Sequence, residues 1–456
     1  MELTSDYGII SIIPICVLMI GVIITKKMPE MLLLSTFIGS IILYKTGFLS
    51  GYIGMLYQAL SNGSYQFLFF ILLGFGPLMA LFDKSGSLLG FSGIISKFAK
   101  TQKRALLATW ILGIIVFIDD YLNALAVSVS MKNITDELGI PREHLAYTVN
   151  STGSCICVLV PIASWAAFGV GNMQAYELGF SDYLSAIPFM FYAWATVIIS
   201  LLLGIGLFPK IGPIKKAYQR VADGGTTTIP ADKSGAKPVV SLESSLDTKP
   251  SSPLNLIVPL LVVAVAMIYF DNDLIHGLIA GLVCQAIMYL GQRIMKPVEF
   301  MNTFLEGIGS MANLIFVILI AFVLSGMNEM MGFPEFVIGV FTKTTHPAFL
   351  PAITFFVCAL TTFLAASFWA MIVITMPIFI PLALSMGVAP HIVVAAIMSG
   401  TALGSQACLY SDAVFMTSAG TEVPNVPQVR AALPYVGIGV VFSLILYLAV
   451  GLIMYW

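Results

Sequence analysis

Long apolar runs, separated by short polar stretches, follow one another along almost the whole chain. A run of about 17–25 apolar residues with few charges is long enough to cross a bilayer as a helix. Two runs, 105–138 and 348–386, are too long for one span and are interrupted at 118–121 and 365–368. We predict that each forms a helical hairpin that turns back inside the membrane, where broken backbone is tolerated if protein buries it. About ten full spans are predicted near 8–25, 31–49, 66–82, 143–170, 183–208, 254–270, 275–291, 309–327, 390–418 and 432–455.

Composition and the placement of charge agree with this pattern. Hydrophobic residues make up 59% of the chain and charged residues only 10%, against roughly 25% charged residues in soluble domains. We therefore predict an all-α polytopic protein of the cell membrane. With both termini outside, only Lys45 and Lys343 of the 21 Lys and Arg residues fall in outer loops, as the positive-inside rule requires. The apolar N-terminal run is interpreted as a first span and not as a signal peptide.

A polar segment, 209–252, divides the chain into two halves. It is rich in Lys, Gly, Ser, Thr and Pro, which predicts a disordered cytoplasmic linker. Residues 1–208 and 253–456 repeat one order of spans, broken hairpin and broken span, with an odd number of full spans in each half. The second half is then inverted in the membrane, an arrangement typical of secondary transporters. A shift of 248 residues pairs Gly139 with Gly387, Ser151 with Ser399, and Ser164 with Asp412.

Acids, amides and hydroxyls inside the apolar runs are the candidate site residues. An ionised carboxylate at membrane depth costs about 2.5–3.5 kcal/mol on insertion scales, so Asp119, Asp120 and Asp412 favour a functional role. Hydroxyls and amides beside glycines mark places where a helix can unwind and expose carbonyl oxygens to an alkali cation. We predict that Na⁺ binds at Asp120, Asn123 and Asp412. The predicted ion- or substrate-binding set is Asp119, Asp120, Asn123, Asn150, Ser151, Thr152, Ser154, Ser164, Ser367, Trp369, Ser399, Gly400, Thr401, Ser405, Gln406, Ser411 and Asp412.

Each of these features also has a structural interpretation. Ser, Thr and Gly in membrane helices commonly form packing surfaces or bond the carbonyl group four residues earlier. Asn150 would then supply an interhelical hydrogen bond, and Trp369 would be a packing aromatic. Asp119 and Asp120 are adjacent, so on a regular helix they point about 100° apart. One would face the site while the other caps the broken helix, and both assignments stay open.

The stretches 117–123 (FIDDYLN), 139–143 (GIPRE) and 158–165 (VLVPIASW) resemble the NhaC-type sodium/proton antiporter family. The resemblance covers nearly the whole chain and extends to the wider ion-transporter superfamily, which implies inverted repeats and paired hairpins. The second half departs from the family pattern, because Ser405 stands where an acid is expected and Tyr410 where proline is expected, although Ser411 and Asp412 are kept. The missing acid weakens the case for plain Na⁺/H⁺ exchange, and relatives of the family also move amino acids and small carboxylates.

These observations predict a secondary active transporter, with a Na⁺/H⁺ antiporter working by alternating access through membrane-embedded aspartates as the first candidate. A Na⁺- or H⁺-coupled transporter of a small organic solute, such as an amino acid or carboxylate, is the close alternative. An intramembrane aspartyl protease using Asp119 and Asp412 is a remote one, because the Gly-x-Gly-Asp context is missing. We expect no enzyme activity, no cofactor and no nucleic-acid partner. The expected partners are Na⁺, H⁺ or both, an organic solute in the alternative case, and the lipid bilayer; a homodimer stays open.

Overall fold

The computed structural model describes residues 7–25, 28–87, 90, 98–117, 120–228, 251–270, 273–333, 336, 345–365, 368–409 and 411–456, and these parts contain helices and no strand. The first half comprises α1 Ile13–Thr25, α2 Met28–Tyr44, α3 Phe48–Leu60, α4 Gly63–Lys84, α5 Gln102–Ile115, α6 Asp120–Glu137, α7 Arg142–Leu159, α8 Ser164–Met173, α9 Phe180–Ala186 and α10 Phe191–Ile205. The helix α11 Gly212–Ala222 lies in the segment between the halves. The second half comprises α12 Leu254–Tyr269, α13 Leu274–Gly291, α14 Pro297–Met330, α15 Leu350–Ala365, α16 Phe368–Ser385, α17 Pro390–Ala407, α18 Asp412–Thr421 and α19 Asn425–Tyr455.

Several of these helices are suited to a membrane. Large apolar side chains such as Ile24, Ile268 and Ile453, 67–83% exposed, cover the outer surface, as expected where lipid replaces water. The protein is therefore an all-α polytopic membrane protein, as predicted, while the number of ten spans stays a prediction. The bent pair Phe180–Phe189 and Phe191–Ile205, at 53°, is one span candidate. Among the described residues, five stretches are long and apolar enough to cross by length and composition: Pro29–Leu60, Tyr65–Lys84, Arg142–Tyr176, Pro297–Met330 and Asn425–Tyr455.

Both long runs are interrupted where the sequence predicted it. In the first run α5 ends at Ile115 and α6 begins at Asp120, and in the second run α15 ends at Ala365 and α16 begins at Phe368. Each run therefore contains two described helices, as predicted, while residues 118–119 and 366–367 lie outside the described residues. The predicted broken spans are also found, because residues 160–163 separate α7 from α8 and residues 408–411 separate α17 from α18. Each break leaves backbone N–H and C=O groups without helical partners inside the protein. A polar site is therefore easiest to build at these four breaks.

Helix bounds recur at the shift of 248 residues. The first and last residues of α6, α7 and α8, moved by 248 positions, are the first and last residues of α16, α17 and α18. Gly139 and Gly387 both adopt a positive φ, at 65° and 69°, a region that glycine enters without steric cost. The two halves thus share their helix bounds and a turn conformation, and the inversion of the second half stays a prediction.

The long helices α4 and α14 cross with their backbones in direct contact. A Cβ added to Gly76 would lie 2.2 Å from the carbonyl oxygen of Gly307, and one added to Gly307 would lie 2.5 Å from Cα of Pro77. Small residues are what allow two membrane helices to approach this closely. Pro77 lies within α4, and because it has no N–H, one carbonyl of the preceding turn lacks its helical donor.

Two helices form where the sequence predicted none. The span predicted at 31–49 ends with α2 at Tyr44, and the separate helix α3 follows it. The helix α11 lies inside the predicted disordered linker, so that prediction is wrong for residues 212–222. Ile214 and Ala217 of α11 are buried, which means that this helix packs on the protein. Residues 229–250 of the same predicted linker lie outside the described residues.

Candidate functional site

Asp120 lies at the break in the first hairpin. It is the first residue of α6, and its side chain is 2% exposed. Trp165, in the first turn of α8, donates its indole N–H to Asp120, with 3.0 Å between Nε1 and Oδ1. A carboxylate at the start of a helix also lies at the positive end of the helix dipole. The charged form of this buried acid therefore has two sources of stabilisation.

Aromatic side chains join the two hairpin breaks. The ring of Trp165 stacks on Phe368 with centroids 3.5 Å apart, and Trp369 meets Trp165 edge-on at 6.1 Å. Phe168, one turn along α8, meets Trp369 at 4.8 Å. Phe368 is the residue 248 positions after Asp120, so both hairpins converge on one indole. We call Trp165, Phe168, Phe368 and Trp369 the aromatic cluster.

Asn123 fastens the first hairpin. Its Nδ2 donates to the carbonyl oxygens of Gly113 at 2.5 Å and Val116 at 2.9 Å. Carbonyl groups at a helix end have no donor within the helix, so one side-chain amide satisfies two of them. Asn123 is fully buried, and its Oδ1 has no hydrogen-bond partner among the described residues.

Gln406 connects the broken helices α7 and α17. Its Nε2 donates to Ser151 Oγ at 2.8 Å, and the hydroxyl of Tyr192 on α10 donates to its Oε1 at 2.5 Å. Asn150 Nδ2 donates to the backbone carbonyl of Gln406 at 2.7 Å. All four residues are buried. The structure therefore brings together three members of the predicted set and adds Tyr192.

Other predicted hydroxyls and glycines have local structural roles. Thr152 and Thr401 donate to the carbonyl group four residues earlier, at 3.0 and 2.8 Å, which is the structural interpretation of such residues. Gly400 lets α17 approach α15, because an added Cβ would lie 2.8 Å from the carbonyl oxygen of Phe355. Ser411 caps α18 by accepting from a backbone N–H and donates to the Ser405 carbonyl. Ser154, Ser164, Ser399 and Ser405 are buried as well.

Three predicted positions lie outside the described residues: Asp119, Ser367 and the side chain of Asp412. The backbone of Asp412 begins α18, which packs against α6 and α7. Of the three residues predicted for Na⁺, Asp120 and Asn123 share the first turn of α6, and the complete set stays a prediction. Within the described part of the chain, no group of three or more His, Cys, Asp or Glu residues converges as a metal site would need.

Ion pairs hold the other ends of these helices, on the side predicted to be cytoplasmic. Arg142 donates to Asp136, with 2.7 Å between Nη2 and Oδ2, and its Nη1 donates to Glu422. Lys132 also pairs with Glu422, at 2.7 Å. We call these four residues the Arg142 cluster. Lys132 and Asp136 lie on α6, Arg142 begins α7 and Glu422 follows α18, so the cluster joins elements of both halves.

The helix α11 docks beside the Arg142 cluster. Arg220 forms a two-pronged ion pair with Glu143, at 2.7 and 3.0 Å. The hydroxyl of Tyr218 lies 2.9 Å from Nδ1 of His144. The side chain of Arg220 is 26% exposed, whereas that of Glu143 is only 7% exposed. These contacts attach the segment between the halves to the start of α7.

A cavity of about 330 Å³ opens next to the break between α7 and α8. Pro161 of the break lines it, and Asp273 at the start of α13 lines it as well. Its other lining residues come from α4, from α8, from the turn after α8 and from α9. They are Phe67, Ala167, Val170, Gln174 and Phe180.

Sequence reasoning identified Trp369 of the aromatic cluster but missed the other aromatic partners of the site. Trp165 and Phe368 were available, since each lies at or just after a predicted break, but aromatic residues are common in apolar runs. Tyr192 lies in an unbroken apolar span, and its burial against Gln406 comes from tertiary packing. The one sequence feature that could have identified Trp165 is its position near the start of the helix that follows a predicted break.

The chain is similar to known proteins over most of its length. A protein of Haemophilus influenzae, described only as uncharacterized, is 25% identical over 429 residues, 86% of this chain and 79% of that protein. The structure resembles that of the YdaH transporter of Alcanivorax borkumensis, with a TM-score of 0.61, 13% identity, and coverage of 88% and 87% of the two chains. It matches Neisseria gonorrhoeae MtrF, described as one of a class of antimetabolite efflux pumps, with a TM-score of 0.47, 14% identity, and coverage of 90% and 84%.

A family model gives the assignment. The model of the Na⁺/H⁺ antiporter family matches residues 180–452, whereas the NhaC type stays a prediction. This match lies mainly in the second half, where the sequence pattern departs most from that type. Since it covers more than half of the chain, the protein belongs to the Na⁺/H⁺ antiporter family and is a secondary transporter, not an enzyme.

Proposed function

We propose that this transporter exchanges Na⁺ for H⁺ across the cell membrane and that Asp120 is the group that takes up the proton. The carrying observation is the position of its carboxyl group, 2% exposed at the break between α5 and α6. An ionised carboxylate at membrane depth is costly, so this group has a strong tendency to take up a proton or pair with a cation. The indole N–H of Trp165 and the helix dipole keep its ionised form accessible.

Alternating access is supported by the arrangement around Asp120. Broken helices of both halves meet at Gln406 and at the aromatic cluster, so the site lies where the halves can move against each other. A cavity opens beside Pro161, at the break between α7 and α8, and the Arg142 cluster joins helices of both halves at the start of α7. We propose inverted halves as the basis of the movement, because matching helix bounds give two similar units that can exchange roles.

Coupled transport of a small organic solute is the second candidate. The aromatic cluster beside Asp120 is the observation that favours it. Aromatic faces bind ammonium groups and apolar solute surfaces, and a Na⁺ or proton alone has no need of four rings. The ammonium group of an amino acid would pair with the carboxylate of Asp120. The carboxylate of the amino acid would bind at a helix N-terminus.

The test uses purified protein in liposomes that contain a pH-sensitive dye. Added Na⁺ should dissipate an imposed pH gradient without any organic solute, and Asp120→Asn should abolish this exchange because Asn keeps the shape without the titrating charge. Asp223→Asn, an exposed position after α11, is the matched control and should leave exchange unchanged. Exchange that survives in Asp120→Asn would contradict the proposed role of Asp120. Absence of Na⁺-driven exchange in the wild type, together with uptake of an amino acid or carboxylate, would favour the second candidate.

A further inference from the structure

Three buried oxygen atoms near the first hairpin lack hydrogen-bond donors among the described residues. They are Asn123 Oδ1, Asn150 Oδ1 and Ser154 Oγ, and their residues are 0%, 3% and 1% exposed. A buried polar atom without a partner costs roughly 1–3 kcal/mol, so three of them in one region need an explanation. Thr148 and Thr152 on the same helix bond the carbonyl group four residues earlier, whereas Ser154 does not satisfy itself in this way.

The orientation of the two amides is fixed by their own donors. Asn123 Nδ2 donates to two carbonyl oxygens, and Asn150 Nδ2 donates to a third. Flipping either amide would bring its oxygen against a carbonyl oxygen, which is repulsive. The two Oδ1 atoms therefore point away from these carbonyls and are available as acceptors.

A single glycine shows where these oxygens face. Residues three and four apart lie on one side of a helix, so Asn150, Gly153 and Ser154 share a face of α7. A Cβ added to Gly153 would lie 3.5 Å from Asn123 Oδ1 and 3.7 Å from the backbone oxygen of Asp120. The missing side chain at Gly153 thus leaves a small space bordered by two oxygen atoms of α6, Asn123 Oδ1 and the backbone oxygen of Asp120, on the face of α7 that carries Asn150 and Ser154.

We propose that this space is a Na⁺ site whose side-chain ligands are neutral, formed by Asn123, Asn150 and Ser154 around Gly153. Hard cations bind oxygen ligands, and amide, hydroxyl and backbone oxygens next to a broken helix are typical of Na⁺ sites in transporters. The inference rests on the proposed function and refines it, because it separates the residue that carries the proton from the residues that hold the ion. Na⁺ bound beside Asp120 would favour the ionised carboxylate and so expel the proton.

Gly153→Ala is the decisive variant. Its Cβ fits at ordinary contact distance, and Ala is favoured over Gly inside a helix, so the protein should fold while the added methyl group fills the site. We expect saturable binding of radiolabelled Na⁺ by the purified protein to disappear. Gly437→Ala on α19, where an added Cβ meets nothing within 4 Å, is the matched control and should bind like the wild type.

Two further variants separate the site from the proton-carrying group. Ser154→Ala removes one ligand and should weaken Na⁺ binding roughly tenfold to a hundredfold, as for one lost bond to a charged group. Asp120→Asn should weaken Na⁺ binding, because the favourable carboxylate charge is gone, but binding should stay saturable although exchange is lost. Binding that survives in Gly153→Ala and Ser154→Ala would overturn the inference. If Asp120→Asn alone abolished binding, Asp120 would be the Na⁺ ligand, so that the neutral site fails while the proposed exchange stands.

Discussion

The buried side chain of Gln406 forms hydrogen bonds with two other helices. Its amide accepts from Tyr192 and donates to Ser151, and both partners are buried. Its backbone carbonyl accepts from Asn150, a bond that any substitution except proline can keep. The side chain therefore contributes two specific hydrogen bonds between α7, α10 and α17, and these can be removed one at a time.

We predict that Gln406→Leu lowers the free energy of unfolding by roughly 1–3 kcal/mol, because it removes two buried hydrogen bonds, one from Tyr192 and one to Ser151, at about 0.5–1.5 kcal/mol each. Combining it with Tyr192→Phe should cost less than the sum of the two single losses, since both substitutions remove the same Tyr192–Gln406 hydrogen bond. Unfolding in detergent, followed for both single variants and the double variant, measures the coupling. Strictly additive losses would show that the Tyr192–Gln406 hydrogen bond has no net effect.

At the level of residues, the sequence located polar groups but not their roles. Asp120, Asn123 and Gln406 were predicted and lie within one turn of a helix end next to a break, and Asn150 and Ser151 were predicted and contact Gln406. Thr152 and Thr401 looked the same in sequence yet bond their own helices. A hydroxyl in a helix can bond a carbonyl group of its own helix or a polar group of a neighbouring helix. The choice depends on which polar groups the neighbouring helix presents, and the local sequence does not encode this.

Among the elements, α11 makes a partly buried ion pair with α7 where it docks. Glu143 is nearly buried and pairs with Arg220, so removing the arginine leaves a carboxylate in an apolar place. Breaking a buried pair from one side typically costs about 3–5 kcal/mol; since Arg220 is 26% exposed, we expect the low end of that range.

We predict that Arg220→Gln lowers the thermal stability of the protein, whereas Lys216→Ala, at an exposed position of the same helix, leaves it unchanged. The double variant Arg220→Gln with Glu143→Gln should recover much of the loss, because two amides replace the uncompensated charge. Thermal unfolding monitored by tryptophan fluorescence checks this. Equal stabilities of Arg220→Gln and Lys216→Ala would show that α11 is held by its apolar face alone.

Element prediction succeeded where the cause was local and failed where it was tertiary. The separation of α5 from α6 and of α15 from α16 follows from polar or small residues inside runs too long for one span. The helix α11 has a strongly polar sequence and buries only Ile214 and Ala217 completely, so its composition resembles a solvated linker. Its stability comes from Glu143 and His144 on α7, about seventy residues away in sequence.

At the scale of the whole molecule, we expect low pH to reduce stability through the Arg142 cluster. Hydrogen bonds from Lys132, the largest cause, and from Arg142 lower the pKa of Glu422 below its ordinary value of 4.5. A carboxyl group whose pKa is lowered on folding stabilises the fold above the unfolded-state pKa, and this contribution is lost as pH falls through the lowered value. Glu422 is 48% exposed, so salt should weaken the effect.

We predict that Glu422→Gln reduces thermal stability near neutral pH and that this reduction disappears in acid, once the pH has fallen through the lowered pKa of Glu422 and the wild-type carboxylate is protonated. The difference between the two proteins should therefore shrink as pH falls below about 4.5 and should also shrink in high salt. Thermal unfolding across this pH range measures it, with Glu306→Gln, an exposed acid on α14, as the control. A difference that stays constant with pH would show that packing, and not charge, sets the contribution of Glu422.

The crossing of α4 and α14 has a mechanical consequence. The carbonyl oxygen of Gly307 lies against Gly76, and the backbone of Pro77 lies against Gly307, so no side chain can yield there when either helix shifts. Proline also makes this the point where α4 bends most readily. Bending of α4 at Pro77 would therefore displace the backbone of α14 that is in contact with it. One half of the protein cannot bend here without pushing on the other.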